Sequence, residues 1–191
     1  PNAVELCDGQ INACGTSLPF NEIDDDGDGY VECTIDGGGW DGSVITGGED
    51  CDDSDATETP TVTWYADSDG DSFGNPNSAT TCERNTLSDV LDNTDCDDSD
   101  STENPTVTWY TDSDGDSFGN PNSSTTCERN TPSDVLNNTD CEDSDNTVFP
   151  GATELCDGLV NDCNGSLPSN EVDNDGDSYV ECTIDGGGWD G

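Results

Sequence analysis

The chain has 191 residues, of which 46 are Asp or Glu and only two, Arg84 and Arg129, are basic, so its formal net charge is −44. This balance excludes nucleic acid as a partner, because phosphate binding needs a basic surface, and no apolar run is long enough to insert into a membrane. With 28% hydrophobic and 6% aromatic residues, an apolar core alone is not expected to order the chain.

Two other features of the composition offer a substitute for a core. Eleven cysteines in so short a chain predict disulfides, and hence an extracellular location, secreted or at the cell surface. Carboxylates about 5 Å apart repel each other by roughly 1 kcal/mol even in water, so dense carboxylates without basic neighbours predict bound cations. Metals and disulfides commonly act together in small modules of this kind.

The chain repeats one small unit several times. Residues 50–94 and 95–139 align without a gap and differ at six positions, and residues 1–42 align with residues 150–191. These nested repeats predict five segments. The first, at residues 1–23, is a CDG-type disulfide segment, named for its Cys-Asp-Gly sequence. Three repeat units follow at residues 24–66, 67–111 and 112–172, and the third carries a CDG-type insertion at residues 150–166. The start of a truncated fourth unit lies at residues 173–191.

Each unit begins with a carboxylate loop, a heptapeptide such as DSDGDSF with Asp at positions one, three and five and an aromatic residue at position seven. Alternate carboxylates in a turning loop converge on one point, and a glycine between them permits the turn. Oxygen atoms are the ligands that Ca²⁺ prefers, so these carboxylates are predicted metal ligands. The predicted set is Asp24, Asp26, Asp28, Asp67, Asp69, Asp71, Asp112, Asp114, Asp116, Asp173, Asp175 and Asp177.

The carboxylate loops are not complete EF-hand loops. An EF-hand has a bidentate Glu at position twelve, where this chain has Ile35 in the first loop and Ile184 in the last. We therefore expect the remaining ligands to come from the second acidic loop of each unit, the DC loop, with the sequence DCDDSD or DCEDSD. Its predicted ligands are Asp50, Asp52, Asp53, Asp55, Asp95, Asp97, Asp98, Asp100, Asp140, Glu142, Asp143 and Asp145.

The residue types favour several Ca²⁺ ions per chain as the bound metal. A cage of protein oxygens with many carboxylates suits Ca²⁺ better than Mg²⁺, whereas zinc, copper and iron sites generally need His, Met or thiolate ligands, and the chain has no His or Met. An isolated Asp-rich tract is also typical of a solvated, disordered segment. Four such loops at matched places, each followed by a cysteine, favour metal binding.

The cysteine spacing predicts bridges within each unit and within each CDG segment. This pairing leaves Cys182 as the one unpaired cysteine, and its partner is expected beyond Gly191. Alternatively, Cys182 is a free thiol or forms an intermolecular link. The predicted pairs are Cys33 with Cys51, Cys82 with Cys96, Cys127 with Cys141, Cys7 with Cys14, and Cys156 with Cys163.

Regular secondary structure is expected to be sparse. TVTWY, at residues 61–65 and 106–110, predicts short strands, and SDVL predicts one helical turn with Ser88 or Ser133 as its cap. Each tryptophan is interpreted as the miniature core of its unit rather than as a sugar-stacking site. The predicted fold is mostly irregular with small β elements: tandem calcium-stabilised, disulfide-stapled repeats that form an elongated array with no single large core.

The residues also resemble a known family. "DCDDSD", followed by "PGATELCDGLVNDCNG" and preceded by "DSDGDSFG", is similar to the metal-binding repeats of the copper-binding MopE type, and more loosely to the calcium-binding type 3 repeats of thrombospondins. The resemblance implies an extracellular metal-binding repeat region. The CDG segments of this chain have fewer acidic residues than the family's CDG segment usually has. The candidate ligands that remain there are Asp8, Asn12, Asp157, Asn161 and Asp162.

Together these features predict an extracellular calcium-binding structural protein, a rigid segment of a fibre, stalk or surface filament that self-associates or continues as a tandem array. The alternative is a calcium-dependent adhesive or metal-sequestering module. Sequons at Asn122, Asn137 and Asn164 leave glycans as candidate partners. The chain is not expected to be an enzyme, because each Asp cluster is duplicated and catalytic sites are rarely tandem.

Overall fold

The computed structural model describes residues 3–184 and 187–189. These residues form two compact units, residues 1–101 and residues 102–191, and each is described by itself. The finer division into five repeat segments stays a prediction. Predictions for residues 1, 2, 185, 186, 190 and 191 lie outside the described residues.

The first unit contains one 3₁₀ turn, Phe20–Glu22, and four short strands. Strands β1 (Tyr30–Val31) and β2 (Gly47–Gly48) pair in parallel. Strands β3 (Thr63–Tyr65) and β4 (Ala79–Thr81) pair antiparallel, with Trp64 opposite Thr80.

The second unit has the same kind of structure. Strands β5 (Thr108–Tyr110) and β6 (Ser124–Thr126) pair antiparallel, with Trp109 opposite Thr125, and a 3₁₀ turn spans Ser169–Glu171. Among the described residues each sheet has two strands. The prediction of a mostly irregular chain with small β elements is therefore confirmed.

The predicted helical turn at SDVL is wrong. The backbone instead makes a single turn, in which the amide of Asp89 donates to the carbonyl of Thr86 at 3.1 Å, and then extends. Val90 and Tyr65 exchange two backbone hydrogen bonds of 2.8 Å. Pairing with the neighbouring strand satisfies the backbone groups that an isolated helical turn would leave unpaired.

Two tryptophans form small cores with the two arginines. Trp64 and Trp109 are buried, and the guanidinium carbons of Arg84 and Arg129 lie 4.9 Å and 4.6 Å from the respective ring centroids. Arg84 also contacts Glu58 at 2.5 Å. The core interpretation is confirmed for these two rings, whereas Trp189 is 39% exposed. Both basic side chains are thus engaged away from the carboxylate loops.

The predicted disulfide pairs are wrong. Four bridges connect a cysteine of one segment to a cysteine of a later segment, with Cα atoms 5.7–6.0 Å apart, an ordinary separation. Cys96 and Cys127 are also disulfide-bonded, and Cys14, not Cys182, is the free and exposed cysteine. The observed pairs are Cys7–Cys33, Cys51–Cys82, Cys141–Cys163 and Cys156–Cys182.

The reason for the error lies in how the two acidic loops of a unit are joined. Backbone hydrogen bonds already connect them: the amide of Asp50 donates to the carbonyl of Val31 at 3.0 Å, and that of Glu49 donates to Cys33 at 3.1 Å. Because the main chain holds the DC loop against its carboxylate loop, the cysteines connect other segments.

The glycine at position four of the carboxylate loop gives the first testable prediction. Gly70 has φ of +84°, and a Cβ added there would meet no atom within 4 Å. Gly70→Ala is therefore expected to lower the free energy of unfolding by about 1 kcal/mol through backbone strain alone. Gly37, equally open but without a positive φ, is the matched control. The stabilities of Gly70→Ala and Gly37→Ala are measured by urea unfolding in the presence of calcium. An equal change in the free energy of unfolding of both variants would contradict the role of backbone strain.

Candidate metal sites

Each carboxylate loop is folded by its own aspartates. In the loop at residues 67–73, Asp67 accepts hydrogen bonds from the amides of Gly70 (2.7 Å) and Ser72 (3.1 Å). One oxygen of Asp69 accepts from the amide of Asp71 at 3.2 Å, and one oxygen of Asp71 accepts from Phe73 at 2.9 Å. These bonds curl the backbone and leave Oδ2 of the aspartates at positions three and five without a donor.

The DC loop closes over the carboxylate loop. The amide of Asp95 donates to the carbonyl of Gly74 at 3.3 Å, and Ser68 donates through its amide and its hydroxyl to the two oxygens of Asp98, both at 2.7 Å. Burial disfavours the charge on Asp98, but the hydrogen bonds from Ser68 and Asn75 outweigh burial and lower its pKa. Asp98 therefore positions the loop, and Asp95 reaches the space beside Asp69 and Asp71.

The result is an oxygen cage, which we define as Oδ2 of the aspartates at positions three and five of a carboxylate loop together with Oδ2 of the first aspartate of the DC loop. Within the described part of the chain, these buried atoms accept no hydrogen bond. Buried oxygens without a donor are rare in folded proteins and costly. The cages are Asp26, Asp28 and Asp50; Asp69, Asp71 and Asp95; and Asp114, Asp116 and Asp140.

The electrostatics of the cages also favour a bound positive charge. Burial, followed by the negative charges of neighbouring aspartates, raises the pKa of Asp50, Asp69 and Asp95. The same causes raise the pKa of Asp114 and Asp116. Because both arginines lie on tryptophan rings, the described residues supply no basic side chain to a cage. A hard cation would satisfy the oxygens and neutralise their charge.

The fourth carboxylate loop is an internal control. Its backbone hydrogen bonds repeat those of the other loops, with Asp173 accepting from Gly176 at 2.7 Å and from Ser178 at 2.9 Å. Asp175 and Asp177 are nevertheless exposed, and each DC loop among the described residues packs on another carboxylate loop. The bonds from Ser178 and Gly176 lower the pKa of Asp173. This loop therefore forms half of a site.

The structure does not bring every predicted ligand to a cage. Asp52, Asp97 and Glu142 accept hydrogen bonds from the serine two residues later, and Asp55 contacts Arg84. Hydrogen bonds from Thr57, followed by the charge of Arg84, lower the pKa of Asp55. These carboxylates build turns and an ion pair. Asp53 and Asp143 accept from the amides of Asp25 (3.0 Å) and Ser113 (2.8 Å), as Asp98 does from Ser68, and Asp145 accepts from Thr147. Asp53 also offers an oxygen within 4.8 Å of oxygens of Asp26 and Asp50, so it belongs to the acidic cluster of the first cage.

Asp24 and Asp112 take the place of Asp67 in their loops. The Asp24, Asp26 and Asp28 carboxylates, and likewise the Asp112, Asp114 and Asp116 carboxylates, offer oxygens within 4.8 Å of one another. Asp24 accepts from Gly27 and Gly29, and Asp112 accepts from Gly115 and Ser117. The position-one aspartates therefore fold the loop at the edge of each cluster.

The CDG segments have carboxylates that are already satisfied. Glu171, which is buried, accepts from the amide of Gly158 at 3.0 Å, and Asp157 accepts from Leu159 at 2.8 Å and from the side-chain amide of Asn161 at 3.2 Å. Asp162 accepts from Gly151 at 2.9 Å. In the first segment Asp8 accepts from Gln10 and Asn12, and Glu22 accepts from Gly9. These groups hold the backbone in place. Glu22 and Glu171 were not among the predicted functional residues, although the Asn-Glu pair recurs in both copies.

Comparison with known families supports a metal-binding role for the DC loops. Residues 50–63, 95–112 and 140–167 match the model of the Cu-binding_MopE family, which is described as "Putative metal-binding motif". Each match begins at the first aspartate of a DC loop, the residue that completes a cage, and the predicted resemblance is confirmed. No curated protein and no solved structure gives a significant match to the chain. The matched motif and the acidic clusters indicate a metal-binding module.

A helix that could cross a bilayer is not found among the described residues.

The raised pKa values predict how pH changes stability when a chelator removes metal ions. The unfolded carboxyl pKa is about 3.9, and that of Asp69, Asp95 and Asp114 is higher in the folded state. Above about pH 4 the folded chain holds protons that the unfolded chain has lost, so stability is expected to fall as pH rises through the folded values. The groups with lowered pKa values change the free energy of unfolding only below about pH 4.

Urea unfolding in chelator, from about pH 4 up to the pH at which the metal-free chain is no longer folded, measures this dependence. Asp69→Asn removes one titrating carboxylate and is expected to make the decline shallower, whereas Glu83→Gln, at an exposed side chain, leaves it unchanged. A metal-free chain whose stability increased over this range would contradict the buried-carboxylate account.

Proposed function

We propose that the chain is an extracellular calcium-binding structural repeat protein, in which Ca²⁺ ions rigidify a segment of a fibre, stalk or surface filament. The observation that carries the proposal is the set of three matched cages, each with buried aspartate oxygens that accept no hydrogen bond in the described part of the chain. The same aspartate oxygens lack a donor in all three copies, so each repeat unit offers the same groups to a ligand.

The ligand chemistry supports calcium. Every group of a cage is an anionic oxygen, the donor type that hard cations prefer. Copper and zinc sites are built mainly from imidazole and sulfur. The chain has no His or Met, and its cysteines other than Cys14 are disulfide-bonded. Mg²⁺ usually keeps several waters and needs near-ideal octahedral geometry, which suits a many-carboxylate cage less well.

A structural role follows from what each ion would connect. Asp71 and Asp95 belong to separate loops of one repeat unit, so an ion bound to both closes the intervening segment. The apolar interior is too small to do this, since Val31, Trp64, Trp109, Val148 and Ala152 make up the buried apolar residues of the described chain. The free energy of ion binding is then part of the free energy of folding. Disulfides and calcium are both typical of extracellular modules.

Counting the ions tests the proposal. Isothermal titration of the metal-free chain with Ca²⁺ is expected to show three sites of similar affinity from the three cages. Asp69→Asn exchanges a charged cage oxygen for a neutral amide group and is expected to weaken one site at least tenfold, about 1.4 kcal/mol. Glu83→Gln removes the same charge at an exposed position and is expected to keep all three.

Parallel titrations with Cu²⁺ and Mg²⁺ test the choice of metal. Tighter or equal binding of Cu²⁺ at the sites that Asp69→Asn disrupts would overturn the assignment of calcium while keeping metal binding. If Glu83→Gln and Asp69→Asn behaved alike, the cages themselves would not be the sites.

A further inference from the structure

The two CDG segments have the same local fold. In both, an asparagine side chain accepts from the amide of the leucine three residues after the segment's alanine. Leu6 donates to Oδ1 of Asn12, and Leu155 donates to Oδ1 of Asn161, each at 2.7 Å. The glutamate before each leucine accepts two backbone amides. The matched bonds are Asn12 and Ala13 to Glu5, Asn161 and Asp162 to Glu154, Gly9 to Glu22, and Gly158 to Glu171.

The preceding DC segment covers the second CDG segment. Cys163 forms a disulfide with Cys141 of the DC loop. Nine residues after the first aspartate of that loop, the amide of Phe149 donates to the carbonyl of Asn161 at 3.0 Å, and the amide of Cys163 donates to Phe149 at 3.4 Å. Asn161 is fully buried as a result.

The first CDG segment presents the same groups without this cover. Cys14, the counterpart of Cys163, is an exposed free thiol. Leu6 and Ile11 are 46% and 52% exposed, whereas their counterparts Leu155 and Val160 are half-buried. A reactive group and an apolar rim are therefore both exposed at the one surface that is occupied in the second copy.

We propose that Cys14 forms a disulfide with the cysteine of a DC loop from a further repeat of the same type, which packs over Leu6 and Ile11. The DC cysteines of this chain, Cys51, Cys96 and Cys141, are themselves disulfide-bonded, so the partner lies outside residues 1–191. The partner segment is expected to resemble residues 140–149, an Asp-Cys pair with an aromatic residue eight positions after the cysteine. This proposal does not depend on which ion the cages bind.

Bond formation couples two thiols. Each Sγ loses its hydrogen and one S–S bond forms, so two protons and two electrons leave the protein. A small-molecule disulfide such as oxidised glutathione takes up the two protons and the two electrons and is reduced to two thiols. Cys14 is exposed, as attack on such a disulfide requires.

An extended chain tests the proposal. A copy of residues 112–149 is placed directly before Pro1, which reproduces the order in which residue 149 precedes the second CDG segment. In the added copy Cys127→Ser removes the cysteine that has no partner there, so Cys14 and the added counterpart of Cys141 are the two thiols under test. The chain is folded with calcium in a glutathione redox buffer.

Thiol titration and peptide mapping are expected to find no free thiol, with Cys14 linked to the added DC cysteine. The matched variant Cys14→Ser is expected to keep one free thiol, on the added segment, with the other bridges unchanged. The proposal is overturned if both thiols stay free while the other bridges form, or if the added cysteine captures a different partner.

Discussion

Mutual repulsion among buried carboxylates is the constraint on which the rest of this structure depends. In each cage the protein's own backbone amides take one oxygen of the loop aspartates and turn the other inward, where an aspartate of the DC loop meets them. Each pair of charges about 5 Å apart costs roughly 1 kcal/mol in water and more where solvent is excluded. Folding without a cation would therefore concentrate negative charge at three points, and folding with one converts the same charge into a cross-link.

The remaining interactions are organised around these points. The two arginines, the only basic residues, cover Trp64 and Trp109 instead of entering the cages. Disulfides such as Cys51–Cys82 run from a DC loop to a later segment, so they connect what the cages do not. Under the proposed function, ions within a unit and disulfides between segments together replace the apolar core of a larger domain.

Local features could be predicted from the sequence, and long-range ones less well. Aspartates at positions one, three and five specify a turning loop through bonds to nearby amides. The missing position-twelve ligand predicted a contribution from the DC loop, whose first aspartate lies beside the first carboxylate loop. Cysteine spacing does not encode the direction in which a side chain leaves the backbone, so the pairing of Cys33 with Cys51 was wrong. Asp98 was predicted as a ligand, and its two oxygens also accept hydrogen bonds from Ser68, a contact across 30 residues that no local pattern indicates. Glu22 acts through a bond from the amide of Gly9, 13 residues earlier in the chain.

The most direct test of the account is whether cations hold the chain together at neutral pH with all disulfides intact. The hydrodynamic radius and the far-ultraviolet circular dichroism of the calcium-loaded chain are measured at pH 7, again after excess chelator, and once more after calcium is restored. The account predicts expansion and a changed spectrum on chelation, and full recovery with calcium. An equally compact chain with an unchanged spectrum in chelator would contradict it.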